Sequence, residues 1–177
     1  LIVGGSLGAR TINRSIKGGL QSLAGSDVQC IWQTGKLYVT EAREAAASFH
    51  SSKMVVTDFV SRMDYAYAIA DLVISRAGAS SISELCLLAK PVILVPSPNV
   101  AEDHQTKNAL ALVNRDAAVM IRDADAEKSL VPKALELINN NPALEQFSKN
   151  IAQLAQRNSA DRIVDEVFKI IEQRKNF

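Results

Sequence analysis

The sequence predicts an α/β domain built on a doubly wound, Rossmann-like parallel sheet of about six strands. Short runs of β-branched and aliphatic residues alternate with longer amphipathic stretches over the first two thirds of the chain. The runs are apolar at successive positions, so both faces of each strand are expected to be buried. That pattern is typical of parallel strands covered by helices on both sides.

Six apolar runs predict strands at residues 1–5, 28–34, 53–57, 71–75, 91–95 and 117–121. The intervening stretches predict helices at about 10–24, 37–49, 64–70, 80–89 and 105–114. After the last strand only helices are expected, at about 126–139, 143–157 and 159–174. We therefore interpret residues 1–177 as one domain with an all-helical tail over 124–177, whose last amphipathic helix folds back on the domain.

Composition excludes several classes of protein. The chain is 47% hydrophobic and 22% charged, which is ordinary for a globular domain. Its 20 basic and 19 acidic residues leave a net charge of +1, so no general attraction to nucleic acid is expected. Cys30 and Cys86 lie in apolar runs without metal-ligand spacing, which indicates buried structural thiols. The sequence begins at Leu1 without a Met, and we expect that further sequence precedes it in a longer protein.

In an open parallel sheet, ligands bind where the carboxyl ends of the strands lead into helices. The first such loop is GGSLGAR at 4–10, in which glycines let the backbone approach a phosphate and the helix start attracts anions. Its spacing is not that of a dinucleotide fingerprint or of a Walker loop. A tight turn without a ligand is the alternative.

The second loop, SRAGASSISEL at 75–85, places Gly78 and small neighbours before a helix expected to begin near Ser80. Unpaired N–H groups at this helix start suit a diphosphate. Glu84 has two interpretations that the residues alone leave open. It binds a ligand, or it forms a capping box with Ser81 by reaching back to the cap's N–H.

Two further loops offer polar and apolar groups. His104, Gln105 and Asn108 begin a helix after the fifth strand, where they could meet sugar hydroxyls, although a solvated helix start capped by Asp103 is equally open. Residues 58–63 present an apolar Phe-Val pair that could cover a flat base.

Four segments, in this order and spacing, resemble the C-terminal domain of the MurG family: GGSLGAR, TGK at 34–36, DFVSRMDYAYAIADLVISRAGASSISEL at 58–85 and KPVILVPSPNVAEDHQTKNA at 90–109. That family comprises the UDP-N-acetylglucosamine: N-acetylmuramyl-(pentapeptide) pyrophosphoryl-undecaprenol N-acetylglucosaminyltransferases. The resemblance covers nearly the whole chain. It implies the C-terminal, UDP-sugar-binding half of a two-domain GT-B glycosyltransferase, whose N-terminal half holds the lipid-linked acceptor.

The resemblance also implies a role for each donor-binding residue. Residues of the two glycine-containing loops would contact the diphosphate through backbone and side-chain groups: Gly5, Ser6, Gly8, Gly78, Ala79 and Ser80. Val60 would meet uracil through its backbone, with Met63 packed nearby. Glu84 would take both ribose hydroxyls, and His104 and Gln105 would face the N-acetylglucosamine. His104 stands where relatives commonly carry a Gln, which leaves its role less certain than that of Gln105.

The implied partners are UDP-N-acetylglucosamine and, through the N-terminal half, a lipid-linked acceptor. We expect no metal or other cofactor, no nucleic acid, no membrane contact through this domain, and a place on the cytoplasmic face of the bacterial plasma membrane. The catalytic base would lie outside this chain, so the chain would bind the donor without turnover. Another GT-B enzyme, such as a 2-epimerase or a glycolipid synthase, and a non-catalytic nucleotide-sugar-binding module are the alternatives.

Overall fold

The computed structural model describes residues 1–5, 7–49 and 53–175, and they contain one fully parallel sheet. Its strands are β1 (Ile2–Val3), β2 (Cys30–Gln33), β3 (Met54–Thr57), β4 (Val73–Ser75), β5 (Val92–Leu94) and β6 (Val119–Met120). Their order is β3-β2-β1-β4-β5-β6. Each lies within a predicted strand, so the predicted α/β class and the strand count of about six are confirmed. Ser6, predicted to contact diphosphate, lies outside the described residues.

Helices connect the strands and follow the last one. They are α1 (Arg10–Gly18), α2 (Leu20–Ala24), α3 (Val39–Ala47), α4 (Met63–Ile69), α5 (Ala79–Leu87), α6 (His104–Val113), α7 (Ala126–Ile138), α8 (Asn141–Ala152) and α9 (Ser159–Lys175). Short 3-10 helices at Ala101–Asp103 and Asp123–Asp125 precede α6 and α7.

The sheet reverses its winding direction between two neighbouring strands. From β1 the chain moves outward through β2 to β3, then crosses over to β4 on the other side of β1 and continues to β6. Ile2 and Val3 accordingly pair with β2 on one side and with Ile74 and Ser75 of β4 on the other. In doubly wound sheets this point of reversal opens a crevice at the carboxyl ends of the strands.

Helices bury apolar residues against both faces of the sheet. One core cluster joins Trp32 of β2 to residues of α1, α2 and α7, including Ile12, Leu20 and Leu130. The other joins β4 and β5 to α4, α5, α6 and α8, and Leu85 and Ile151 are fully buried in it. Both faces are thus covered at β4 and β5, where every residue is buried. The expectation that every strand is buried on both faces is wrong for the edge strand β3, in which Val55 is 58% exposed.

The helix predicted over 10–24 is broken in two at Gly19, which is a correction. A Cβ atom at Gly19 would lie 2.5 Å from the Cγ2 atom of Val131 on α7. Because α7 passes so close to this residue, only glycine fits at the junction of α1 and α2. Gly18 and Gly19 are adjacent, a dipeptide that favours a turn, and the close approach of Val131 explains why residue 19 carries no side chain.

The prediction that the last helix folds back on the domain is wrong. Residues 159–174 of α9 are all exposed, and its apolar side chains Ile163, Val164, Val167 and Phe168 are each at least half exposed. The amphipathic pattern correctly predicts a helix with an apolar stripe. It does not determine whether another part of the chain covers that stripe.

We expect Gly19→Ala to lower the free energy of unfolding by about 1–3 kcal/mol, because the added methyl group overpacks against Val131. Gly18→Ala is the matched control, since its Cβ would meet no atom within 4 Å. Because alanine favours a helix over glycine, this variant should raise the free energy of unfolding by roughly 0.5–1 kcal/mol. Urea denaturation followed by circular dichroism measures both. Equal effects at the two positions would contradict the packing explanation.

Candidate functional site

The glycine-rich turn after β1 leads directly into α1. Gly5 and Gly8 have φ angles of +72° and +82°, and the N–H of Gly8 donates to the carbonyl of Gly5 at 3.1 Å. Ala9 is the N-cap of α1, and no side chain caps this helix start. The first N–H groups of a helix have no partner within it, so they are open to an anion.

The turn is held by a close backbone contact with the loop after β2. A Cβ at Gly8 would overlap the carbonyl oxygen of Thr34, and a Cβ at Gly35 would overlap the backbone N of Gly8. Buried Asn13 stabilises this arrangement: it donates to the Thr34 carbonyl at 2.9 Å and accepts from Trp32 Nε1 at 3.0 Å. Sequence reasoning missed Asn13, because Trp32 and Thr34 lie far from it along the chain and become its neighbours only in the fold.

The second helix start predicted to bind phosphate is that of α5. Gly78 is the N-cap, Ala79 and Ser80 begin the helix, and no side chain makes a cap hydrogen bond. Ala79 and Ser80 are exposed. This helix start therefore also presents unpaired N–H groups to solvent, as the first one does.

Glu84 does not form the capping box that its sequence pattern allowed. A capping box needs Ser at the N-cap and Glu three residues further on. Here Gly78 is the N-cap, so Ser81 and Glu84 lie too far into the helix. Instead, Glu84 Oε2 accepts a hydrogen bond from the hydroxyl of Tyr67 on α4 at 3.2 Å. That leaves an exposed carboxylate held from one side.

The loop after β5 folds its polar side chains onto its own backbone. Gln105 Oε1 accepts from the N–H of Ser97 at 2.9 Å. His104 Nδ1 lies 2.8 Å from the carbonyl of Ala101, so Nδ1 is the protonated nitrogen and Nε2 remains available. Asp103 is the exposed N-cap of α6, where the alternative interpretation of this loop put it, but its side chain makes no cap hydrogen bond.

The segment predicted to meet a base lies before α4. Phe59 is 57% exposed, Val60 is half-buried, and Met63 packs partly into the second core cluster. Thr57 Oγ1 donates to the Phe59 carbonyl at 2.9 Å, which fixes the chain leaving β3.

An open cleft of about 620 Å³ lies above the point of reversal between β1 and β4. Of the predicted site residues it brings together Gly8 and Gln105, joined by groups from the neighbouring loops: Arg10, Thr11, Tyr38, Arg76, Ser97, Asn99 and Asp123. The other predicted residues that the structure describes do not line this cleft. One group follows Arg76 along the chain: Gly78, Ala79, Ser80 and Glu84. The other group, Val60 and Met63, follows β3, which lies on the other side of β1.

An ion pair between Arg76 and Asp123 crosses the cleft wall, and sequence reasoning missed it. Both side chains are only 21% exposed. Arg76 also donates to the carbonyls of Val95 and Pro96, and Asp123 accepts from Thr11 Oγ1 at 2.8 Å. These contacts tie α1 and the ends of β4, β5 and β6 together around the cleft. The pair spans 47 positions, so no local spacing indicates it.

Cys30 and Cys86 are buried, as predicted, and burial raises the pKa of both thiols. Among the described residues, no cluster of three or more His, Cys, Asp or Glu side chains is arranged to hold a metal ion. Within the same part of the chain, no helix has the length and apolar composition needed to cross a membrane.

Strand order and cleft together define a doubly wound, Rossmann-like α/β domain whose binding region lies at the carboxyl edge of the sheet. The family model for the glycosyltransferase family 28 C-terminal domain matches residues 1–166, and the chain belongs to that family.

Curated relatives carry one shared name, UDP-N-acetylglucosamine--N-acetylmuramyl-(pentapeptide) pyrophosphoryl-undecaprenol N-acetylglucosamine transferase. The chain is 65% identical to the one from Parabacteroides distasonis over 174 residues, covering 98% of this chain and 47% of the relative. It is 61% identical to one from Bacteroides fragilis over 177 residues, covering 98% and 46%. The chain thus spans about half the length of the curated relatives it matches.

Solved structures also match this chain over about half of their own length. The crystal structure of Acinetobacter baumannii MurG superposes with a TM-score of 0.82 at 29% identity, covering 95% of this chain and 48% of that one. A putative UDP-N-acetylglucosamine 2-epimerase from Listeria monocytogenes shares the fold, with a TM-score of 0.68 at 13% identity over 97% of this chain and 45% of that chain. The expected relation to half of a GT-B enzyme agrees with these matches.

We expect Gly8→Ala to disrupt the turn, because its Cβ would overlap Thr34 and would lie 2.6 Å from the ring of Tyr38. Gly5→Ala is the control: it has a similar positive φ, but its Cβ would meet no atom within 4 Å. Thermal unfolding should show a loss of roughly 1–2 kcal/mol for Gly5→Ala, from backbone strain alone, and a larger loss for Gly8→Ala. A loss at Gly8 no greater than that at Gly5 would contradict the close backbone contact.

Proposed function

We propose that this chain is the donor-binding domain of an inverting glycosyltransferase that transfers N-acetylglucosamine from UDP-N-acetylglucosamine to lipid-linked N-acetylmuramyl-pentapeptide in peptidoglycan synthesis. The proposal is supported by the family and by the shared name of relatives up to 65% identical over nearly the whole chain. Since the chain spans about half of those relatives, the activity belongs to the longer protein.

One structural observation supports donor binding above the others: two helix starts without side-chain caps follow β1 and β4, the strands between which the sheet reverses. A helix N-terminus carries partial positive charge and free N–H donors. Two of them on adjacent strands suit the two phosphates of a nucleoside diphosphate. We assign the backbone around Gly5, Ser6 and Gly8 to one side of the diphosphate, and that of Gly78, Ala79 and Ser80 to the other.

The remaining donor contacts follow from the positions of the side chains. Glu84 offers an exposed carboxylate on the helix whose start we assign to phosphate, and we assign the two ribose hydroxyls to it. Val60 and Met63 would hold the uracil. Gln105 lines the cleft and His104 uses Nδ1 for its contact with Ala101, which leaves Nε2 for a ligand, so both suit the hydroxyl and acetamido groups of the sugar.

In this reaction the acceptor's hydroxyl oxygen attacks the anomeric carbon while the bond to the diphosphate oxygen breaks. Negative charge then grows on the departing UDP. The helix starts and their N–H groups would stabilise that charge without a divalent metal, because they are already oriented toward it. We assign the base that takes the acceptor's proton, and the acceptor site, to the part of the relatives that this chain does not span.

Location and partners follow from the same assignment. The longer protein would work on a lipid-linked acceptor at the cytoplasmic face of the bacterial plasma membrane, with its membrane contact outside this domain. We propose no nucleic-acid partner, since the chain's basic and acidic residues nearly balance.

A UDP-N-acetylglucosamine 2-epimerase with the same fold is the second candidate, because solved epimerases of that name superpose on this chain. Their identity of 13–18% supports the fold alone, whereas the 29% identical structure is that of a MurG. Both candidates take UDP-N-acetylglucosamine. Release of UDP by the full-length protein, in the presence of lipid-linked acceptor, distinguishes transfer from epimerisation.

We expect Glu84→Ala to weaken UDP binding by about tenfold or more, because hydrogen bonds to a charged acceptor contribute roughly 1.5–3 kcal/mol. Isothermal titration calorimetry measures the affinity. Glu145→Ala is the control, since Glu145 is an exposed carboxylate on α8. If the Glu84 variant binds UDP as tightly as wild type, the ribose assignment is wrong.

A further inference from the structure

Glu84 is supported from beneath by a buried tyrosine. The ring of Tyr67 is 6% exposed and packs in the core cluster that also holds Leu85 and Cys86, the two residues after Glu84. Its hydroxyl is the hydrogen-bond donor to Glu84 Oε2, at 3.2 Å. The exposed carboxylate of Glu84 is therefore hydrogen-bonded to Tyr67, whose ring is held in place by the core.

In the hydrogen bond between Tyr67 and Glu84, the tyrosine is the donor. Burial, followed by the nearby charge of Glu84, raises the pKa of Tyr67 to about 12, so the phenol keeps its proton across the ordinary pH range. The hydroxyl therefore donates and the carboxylate accepts. A carboxylate has about four lone-pair positions. With one taken by Tyr67, both oxygens can still accept from a vicinal pair of hydroxyl groups.

We infer that Tyr67 is a positioning residue for ribose recognition: it holds the Glu84 carboxylate in the orientation that accepts both ribose hydroxyls. An exposed Glu side chain otherwise samples several rotamers, and binding would have to select one of them. The inference rests on the proposed donor-binding function and names a residue that acts through Glu84 rather than on the ligand.

Tyr67 also connects the two ends of the nucleoside site. It lies on the short helix α4, which begins at Met63, directly after the segment we assign to uracil. A side chain from that helix therefore sets the carboxylate on α5 that we assign to ribose. This part-buried contact then links the position of the base site to that of the ribose site.

A set of variants tests this role: Tyr67→Phe, Glu84→Ala and the double variant, each titrated calorimetrically with UDP and with 2′,3′-dideoxy-UDP. Tyr67→Phe keeps the ring in the core and removes only the hydroxyl. We expect it to weaken UDP by roughly three- to tenfold while leaving the dideoxy ligand unchanged, the size expected for one hydrogen bond. In the Glu84→Ala background the same change should have no further effect.

Tyr65→Phe is the matched control. Tyr65 lies on the same helix, is 61% exposed and stacks under Arg62 at 3.8 Å, so its hydroxyl should not affect either ligand. Because both ligands require the folded chain, partial unfolding of a variant lowers both affinities together and leaves their ratio unchanged.

An equal loss for both ligands, or no loss of UDP affinity, in Tyr67→Phe would overturn the inference. A loss that persists in the Glu84→Ala background would also overturn it, since Tyr67 would then act independently of the carboxylate. If Glu84→Ala alone leaves the ratio of the two affinities unchanged, the ribose assignment itself fails, and the inference fails with it. The single variants therefore separate the two failures.

Discussion

The candidate site depends on one backbone-to-backbone contact between the first two loops of the sheet. Gly8 and Gly35 approach each other and Thr34 so closely that neither glycine can carry a side chain. This contact sets the turn that leads into α1, and with it the direction of the free N–H groups at the helix start. Buried Asn13 holds the same loop from below through two hydrogen bonds.

A second set of contacts gives the other side of the cleft its shape. The ion pair of Arg76 and Asp123 joins β4 to the end of β6, and Thr11 joins both to α1. The helix start at Gly78 follows Arg76 by two residues, so the same pair fixes the beginning of α5 relative to α1. The helix starts of α1 and α5, neither of which has a side-chain cap, are thus held by contacts made below and between them.

The sequence predicts the sheet well because parallel strands buried on both faces leave an unmistakable apolar run. The glycine turn is also predictable, because its signal is local: Gly8 has a φ of +82°, which favours glycine over other residues. Features set by distant partners are not predictable in this way. Val131 on α7 excludes a side chain at Gly19, and Glu84 fits two local patterns until Tyr67 and the observed N-cap decide against one of them.

The most direct test of the account is a crystal structure of this chain soaked with UDP. We predict that the diphosphate lies within hydrogen-bonding distance of backbone N–H groups at both glycine-lined helix starts, with the Glu84 carboxylate on the ribose hydroxyls. UDP bound elsewhere, with both helix starts unoccupied or the carboxylate turned away from the sugar ring, would contradict it.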